Sequence, residues 1–196
     1  MFAVTGQRTT IVKALEQLTG EETIRIDPTV TEAMRWGFEI PPTERYVLAA
    51  GVLHGAQVSQ ITQWEAQEAF QVNLWSVLNI CETVLSASPR ARICVIGTES
   101  VPNGSYDRLY AATKAGVHQY VQTRKVYPPQ QLVCVSPTII IDSGMTQRRP
   151  DLERVIETRQ TVRAIDVARV IQRVLWDPLN LNASNIIIPV KERSQP

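Results

Sequence analysis

The stretch Ser105-Tyr-Asp-Arg-Leu-Tyr110-Ala-Ala-Thr-Lys114-Ala-Gly116 decides how the rest of this sequence is interpreted. Tyr110 and Lys114 are four residues apart, and the alanines beside them favour a helix. Residues at i and i+4 share one face of a helix, so the spacing predicts that phenol and ammonium are neighbours. An ammonium within about 4–6 Å lowers a tyrosine pKa from its ordinary value of about 10. The pair is therefore a candidate for moving a proton to or from an oxygen atom; a chance surface pair is the alternative.

On both sides of this stretch, apolar strands alternate with amphipathic helices. The predicted strands are residues 2–5, 23–26, 45–49, 92–96, 131–136 and 185–189. The first predicted helix starts at Thr9 or Thr10 and is ended by Gly20, and a long one is opened by Thr62 or Ser59 and runs to Leu85. The others are one or two helical turns at 31–36, the Tyr110 helix up to residue 128, 151–158 and 165–176. This order predicts an α/β fold, a doubly wound parallel sheet (Rossmann-like) with helices on both faces and right-handed crossovers. Residues 1–190 are predicted to form a single nucleotide-binding domain, followed by a flexible tail at 191–196.

The first strand–helix–strand unit has the order of a nucleotide-binding unit. Gly6 follows the first strand, Thr9 or Thr10 can cap the helix, and Asp27 ends the second strand. Free N–H groups at the start of such a helix favour a bound phosphate. Thr10 and Val12 stand where further glycines would be ideal, so an ordinary turn is the alternative.

Composition excludes several classes of function. The 196 residues carry a net charge of +1, which gives no general attraction to nucleic acid or to a membrane surface. The three cysteines are far apart and only two histidines are present, so disulfides and a zinc site are not expected. No apolar run approaches the ~18 residues of a membrane span, and a strand begins at Phe2 where a signal peptide would lie. We therefore expect a cytoplasmic protein without a metal.

The sequence resembles the short-chain dehydrogenase/reductase (SDR) family over nearly the whole chain and in the family's order. Thr5-Gly6 is similar to the start of the family's glycine turn. Leu48-Ala49-Ala50-Gly51 is similar to its Asn-Asn-Ala-Gly segment, with both asparagines missing. Pro137-Thr138-Ile139-Ile140 is similar to the Pro-Gly segment that flanks the nicotinamide.

Four side chains match the family's catalytic positions, namely Asn73, Thr98, Tyr110 and Lys114. The resemblance implies that Tyr110 donates a proton in reduction and accepts one in oxidation. Lys114 would lower the phenol pKa and bind the cofactor ribose, and Thr98 would orient the substrate oxygen. Asn73 would hold a water that links Lys114 to solvent. The alternatives are a strand-end turn for Thr98, with Ser100 as a less favoured hydroxyl, and a local backbone bond for Asn73.

The resemblance also implies a cofactor site, with NAD favoured over NADP. Asp27 would accept hydrogen bonds from the adenosine ribose hydroxyls; the alternative is that it is only a turn residue. Arg8 could meet a cofactor phosphate or solvent, and so NADP stays an alternative cofactor. The implied cofactor-binding residues are Gly6, Gln7, Arg8, Thr9, Thr10, Ile11, Asp27, Ala49, Ala50, Gly51, Tyr110, Lys114, Pro137 and Ile140.

Departures from the family pattern leave two functions open. About one strand–helix unit is missing between Asp27 and Arg45, which predicts a sheet without one edge strand. The first function is an NAD(P)-dependent oxidoreductase acting on a small-molecule carbonyl/alcohol pair. The second, favoured by the degraded glycine turn, is a catalytically silent protein of the same fold with a regulatory or assembly role.

Two segments carry further expectations. The stretch after Pro137 and up to Pro150 is predicted to be irregular. Residues 141–150 within it are predicted to lie over the substrate mouth as a lid, with a solvated surface loop as the alternative. The helix at 62–85 is apolar on more than one side, so one face can meet the sheet and the other a partner subunit. The resemblance implies pairing through this helix and the Tyr110 helix, and a homodimer or homotetramer is expected.

Overall fold

The computed structural model describes residues 1–6, 9–26, 41–55, 60–99, 107–177 and 185–188. Its strands are β1 (Phe2–Thr5), β2 (Thr23–Ile26), β3 (Arg45–Leu48), β4 (Arg92–Ile96), β5 (Gln131–Pro137), β6 (Ile139–Ile140), β7 (Thr161–Val162) and β8 (Asn185–Ile188). Its helices are α1 (Thr10–Thr19), α2 (Gln63–Phe70), α3 (Ser76–Ala87), α4 (Arg108–Thr123), α5 (Gly144–Gln147), α6 (Leu152–Thr158) and α7 (Ala164–Trp176). A π-helical segment, Gln71–Trp75, joins α2 to α3.

Six strands form one sheet in the order β2-β1-β3-β4-β5-β8, and every pair is parallel. The chain moves from β1 to β2 on one side and then returns to place β3 on the other side of β1. In open sheets of this kind, ligands bind beyond the carboxyl ends of the strands at the point where the order reverses. Here that point lies between the ends of β1 and β3, where Gly6 and the Ala49–Ala50–Gly51 segment follow their strands.

Helices cover both faces of the sheet, as the sequence predicted. On one face α1 packs against α7, and their apolar residues, including Leu15 and Ile171, form one core with β1, β4 and β5. On the other face α3 and α4 contribute Ile80 and Val117 to a second core. All four of these side chains are 0% exposed, and burial of each contributes about 1.5–3 kcal/mol before entropy is counted. The doubly wound fold class is confirmed.

Among the described strands β2 lies at the edge of the sheet, which agrees with the predicted loss of an edge strand. Asp27 and the helical turns expected at 31–36 lie outside the described residues, as does the 191–196 tail.

Capping residues fix the helix starts that the sequence left as alternatives. Thr9 is the N-cap of α1, with its hydroxyl accepting a hydrogen bond from Val12 N, and Gly20 ends the helix with φ 66°. Thr62 opens α2 in a reciprocal capping box with Glu65.

Two boundaries differ from the prediction. The Tyr110 helix ends at Thr123 instead of continuing to Pro128, because the backbone becomes extended at Arg124, whose guanidinium pairs with Glu82 on α3 at 2.8 Å. The stretch after β5 is not irregular: β6 pairs with β7 in a separate parallel ladder, and Ser143 caps the short helix α5. A two-residue ladder depends on a partner some twenty positions away, so local periodicity does not reveal it.

Candidate active site

The Tyr110 helix places the predicted phenol and ammonium side by side. Asp107 caps α4 by accepting a hydrogen bond from Tyr110 N at 2.8 Å, which puts Tyr110 in the first turn. Lys114 follows one turn later, and its Nζ lies 5.7 Å from the centroid of the Tyr110 ring. Lys114 is 2% exposed, and its Nζ donates a hydrogen bond to Ile96 O at the end of β4 at 2.9 Å. The two side chains therefore share the face of α4 that meets the carboxyl ends of the strands.

The pKa of the phenol moves in the direction opposite to the prediction. Burial, with smaller contributions from the charge of Asp107 and from Cys134, raises the pKa of Tyr110 to about 12. Burial lowers the pKa of Lys114 to about 8. The predicted lowering of the phenol pKa by Lys114 is therefore wrong for this structure, because burial of the phenol disfavours its charged form and sets the direction of the shift. At neutral pH the phenol is protonated and most of the Lys114 population carries its charge.

The loop after β3, residues 49–55, faces Tyr110 and is held by polar side chains from three elements. Thr5 Oγ1 at the end of β1 accepts a hydrogen bond from Ala50 N at 3.1 Å. Asn73 in the π segment accepts one from Val52 N at 2.7 Å and donates one to Val52 O at 3.0 Å. Asp107 accepts hydrogen bonds from the backbone N–H groups at the far end of the loop. The buried Asn73 thus bonds across to this loop, and not within its own helix as the alternative interpretation had it.

Gly51 lies at the centre of this loop, close to three side chains. A Cβ atom at Gly51 would lie 3.5 Å from Asn73 Oδ1, 3.7 Å from Tyr110 Cε2 and 3.8 Å from Met145 Cε. These atoms come from the π segment, from α4 and from α5. Gly51, Asn73 and Met145 therefore come together beside the phenol at the carboxyl ends of the strands, and we call this place the crevice.

Thr98 follows β4 at the same edge of the sheet. Gly97 N and Glu99 N donate hydrogen bonds to Val135 O and Pro137 O, so the chain on both sides of Thr98 continues to pair with β5. Thr98 is 9% exposed, and its N–H points to His118 Nε2 at 3.4 Å. Ser100, the other hydroxyl considered, lies outside the described residues.

The glycine turn after β1 is close to the loop after β3. Gly6 has φ 91°, and a Cβ atom there would lie 3.2 Å from Ala50 Cα, so both its conformation and its neighbour favour glycine. The side chain of Ile11 packs into the core and leaves only its backbone near the turn. Gln7, Arg8 and Asp27 lie outside the described residues, and their predicted contacts with cofactor stay predictions.

Comparison with known proteins relates this geometry to a fold family. No protein-family model and no curated protein matches the sequence. The solved structures similar to it include an SDR-family oxidoreductase from Burkholderia thailandensis, with 18% identity, a TM-score of 0.75, and 96% of this chain and 90% of that chain covered. The glucose/ribitol dehydrogenase of the SDR family from Brucella melitensis has 17% identity, a TM-score of 0.75 and coverage of 95% and 93%. The aldohexose dehydrogenase from Thermoplasma acidophilum has 14% identity, a TM-score of 0.73 and coverage of 100% and 97%.

The chain has the short-chain dehydrogenase/reductase fold. The resemblance noted in the sequence is confirmed at this level. At 11–20% identity the likeness concerns the fold, and the chemistry has to be argued from the side chains of this chain.

Within the SDR fold, the structure brings together most of the predicted site. Tyr110, Lys114, Asn73 and Gly51 meet around one crevice. Further residues of the predicted site lie at the same edge of the sheet, at the ends of strands or next to them. These are Gly6, Thr9, Thr10, Ala49, Ala50, Thr98, Pro137 and Ile140. Ile140 belongs to β6 and is partly buried against the core.

The segment predicted as a lid is built into the edge of the site. The Asp142 carboxylate accepts a hydrogen bond from Ala164 N at the start of α7 at 2.8 Å, and Asp142 O accepts one from the Thr10 hydroxyl at 3.2 Å. Met145, on α5, approaches Gly51 and Tyr110. Opening of this segment as a lid stays a prediction.

Two side chains near the site were missed in the sequence. His118 is four residues beyond Lys114, so Tyr110, Lys114 and His118 recur on one face of α4. Its Nε2 lies 3.1 Å from the Ser136 hydroxyl, which lies 2.9 Å from Asn185 Oδ1 on β8. Burial, followed by the charge of Lys114, lowers the pKa of His118, so the ring is neutral at pH 7. The second missed residue is Asp107; an N-cap aspartate before the Tyr110 helix was its signal.

Two further features of the described residues lie outside this site. None of the helices in the described ranges is long and apolar enough to cross a membrane. A cavity of about 380 Å³ lies at the opposite, amino-terminal edge of the sheet, between Pro41–Glu44 and Ser88, far from the candidate catalytic side chains.

Proposed function

We propose that this chain is an NAD(P)-dependent oxidoreductase that interconverts a small-molecule carbonyl and an alcohol. The observation that carries the proposal is the position of the Tyr110–Lys114 pair beside Gly51, at the reversal point of the sheet. The residues present fit a dinucleotide there. Gly6 and Gly51 place no side chain between the carboxyl ends of β1 and β3, where the dinucleotide is proposed to lie. The capped N-terminus of α1 is next to this position.

When bound in this crevice, a nicotinamide dinucleotide supplies or accepts the hydride. Tyr110, protonated at neutral pH, donates a proton to the carbonyl oxygen in the direction of reduction and accepts one in oxidation. Lys114 places a positive charge beside the phenol ring, which stabilises negative charge that develops on the phenol oxygen as its proton leaves. A Lys114 bond to the cofactor ribose is part of the proposal.

Thr98 and Asn73 have supporting roles in this proposal. Thr98, at the end of β4, orients the substrate oxygen and stabilises its developing charge. Asn73 fixes the loop wall through Val52, and the π segment around it supports a water path from Lys114 to solvent. Asp27 favours NAD over NADP by accepting the adenosine ribose hydroxyls, whereas Arg8 would favour NADP.

The test combines cofactor binding with turnover. NADH and NADPH are titrated by fluorescence, and the protein is then assayed on a panel of aldehydes and ketones. We expect Tyr110→Phe to lower kcat by about 10²–10⁴-fold and to leave the NADH Kd within about twofold, since the change removes only the hydroxyl group that transfers the proton. Unchanged turnover in Tyr110→Phe would refute the assignment. Binding without turnover of any carbonyl by the wild type would favour the silent alternative.

We further propose that the chain forms a homodimer, or a homotetramer built from such dimers, through the α2–α3 helix. Three large apolar side chains along this helix are exposed, namely Trp64 (74%), Phe70 (48%) and Trp75 (42%). Exposed apolar groups clustered on one element indicate a surface that another subunit covers. Sedimentation of the wild type and of Trp64→Glu at micromolar concentration tests this. A wild-type monomer would contradict the proposal.

A further inference from the structure

The Tyr110 helix begins at a buried carboxylate that serves two elements at once. Asp107 is 1% exposed. Its Oδ1 accepts a hydrogen bond from Tyr110 N at 2.8 Å, in the first turn of α4. Its Oδ2 accepts hydrogen bonds from His54 N at 3.1 Å and Gly55 N at 3.2 Å, in the loop after β3. One carboxylate therefore joins two walls of the crevice that are more than 50 residues apart in the chain.

We propose that Asp107 is a positioning residue that ties the first turn of the Tyr110 helix to the loop carrying Gly51. This inference rests on the function proposed above, because the distance between the phenol and the loop matters for that reaction. An ordinary helix cap needs one acceptor atom, and serine, threonine or asparagine supplies it equally well. Three backbone donors on two elements need the two oxygens of an ionised carboxylate.

The charge of Asp107 has a consequence for the phenol as well as for the geometry. After burial, it is the next cause of the raised pKa of Tyr110. Among the described residues, the other titratable groups beside Tyr110 are Lys114, on the same helix, and Cys134 on β5. Cys134 also contributes to the raised pKa of the phenol, and its own pKa is raised by burial. The His54 ring is turned to Glu68, with Nε2 3.0 Å from the carboxylate. Asp107 thus keeps the phenol protonated, and able to donate, to higher pH.

The experiment uses two variants of Asp107 and one matched cap variant, all in the full chain. Asp107→Ser keeps a cap oxygen for Tyr110 N but loses the reach to the loop and the charge. Asp107→Asn keeps the size of the side chain and loses the charge. Thr62→Ala removes the N-cap of α2, which costs a comparable ~1 kcal/mol. Among the described residues the hydrogen bonds of the Thr62 side chain are to Glu65 on its own helix, and not to residues 49–55 or to Tyr110.

Three measurements are made on each protein. Amide hydrogen exchange of His54 and Gly55 reports whether their hydrogen bonds to Asp107 are intact. The 295 nm absorbance titration, taken as the difference from the matching Tyr110→Phe protein, reports the ionisation of Tyr110. The pH profile of kcat for alcohol oxidation, with NAD and NADP, reports the reaction.

We expect exchange of His54 and Gly55 to accelerate about fivefold or more in both Asp107 variants and to stay unchanged in Thr62→Ala. The ionisation of Tyr110, and with it the rise of kcat with pH in alcohol oxidation, should move to lower pH by about one unit. The maximal kcat should fall by up to about 10²-fold through misplacement of the phenol.

Unchanged exchange of His54 and Gly55 would overturn the tie. If exchange of His54 and Gly55 became faster while the pKa of Tyr110 and kcat stayed unchanged, Asp107 would be only a structural helix cap. That result would overturn the inference. A wild-type protein that neither binds NADH or NADPH nor turns over any carbonyl would refute the proposed function. The exchange and the absorbance titration would still decide on Asp107 in that case, since neither requires activity.

Discussion

Gly51→Ala separates the folding of this protein from its binding of cofactor. The new Cβ atom would lie 3.5–3.8 Å from Asn73 Oδ1, Tyr110 Cε2 and Met145 Cε, which is ordinary van der Waals contact. The φ angle of Gly51 is not positive, so alanine adopts the same backbone. We therefore expect the free energy of unfolding to change by less than about 0.5 kcal/mol, or to rise slightly because alanine restricts the unfolded chain.

The same methyl group occupies space beside the phenol where the cofactor is proposed to lie. One extra methyl in a closely packed contact costs about 1–3 kcal/mol, which corresponds to a Kd about 5- to 150-fold weaker. The assay is an NADH fluorescence titration, paired with urea unfolding of the same preparation. Gly55→Ala, on the same loop, is the matched control, since no heavy atom of the described residues lies within 4 Å of its Cβ position. Wild-type affinity in a folded Gly51→Ala protein would show that the cofactor does not cross this loop.

Three further predictions test the surroundings of the site. Gly97→Ala should lower Tm by about 2–12 °C in a thermal melt, because its Cβ would lie 2.5–2.7 Å from side-chain atoms on α4 and β5. An unchanged Tm would mean that these side chains move aside without a cost in stability. Thr10→Gly should tighten NADH binding by about three- to tenfold in a fluorescence titration by removing side-chain bulk from the turn. Thr10→Val should not, and equal affinities would contradict the importance of that bulk. Between pH 7 and 9.5 the unfolded chain binds more protons at Lys114 than the folded chain, since burial lowers the folded pKa from 10.5 to about 8. The free energy of unfolding of the wild type, measured with urea, should therefore rise by about 2 kcal/mol relative to that of Lys114→Met over this range. If both proteins showed the same pH dependence, Lys114 would not be a buried charged group.

Features encoded within a few neighbouring residues could be predicted from the sequence. The alternation of strands and helices, the capping residues Thr9 and Thr62, and the spacing of Tyr110 and Lys114 are of this kind. Their physical basis is local, because periodicity and capping depend on residues three or four positions apart. The order of the elements was then enough to predict the doubly wound parallel sheet.

Other features depend on groups that meet only when the chain folds. The hydrogen bonds of Asn73 to Val52, the two-sided role of Asp107, and the π segment between α2 and α3 have partners or shapes that no local pattern specifies. The pKa of Tyr110 shows the difference most directly. The i+4 spacing correctly placed an ammonium beside the phenol, but the direction of the shift is set by desolvation, a property of all the atoms that surround the group. The sequence by itself determined which side chains share the face of one helix. Only the tertiary structure decided how deeply they are buried, because burial is the sum of contacts from every element that packs there.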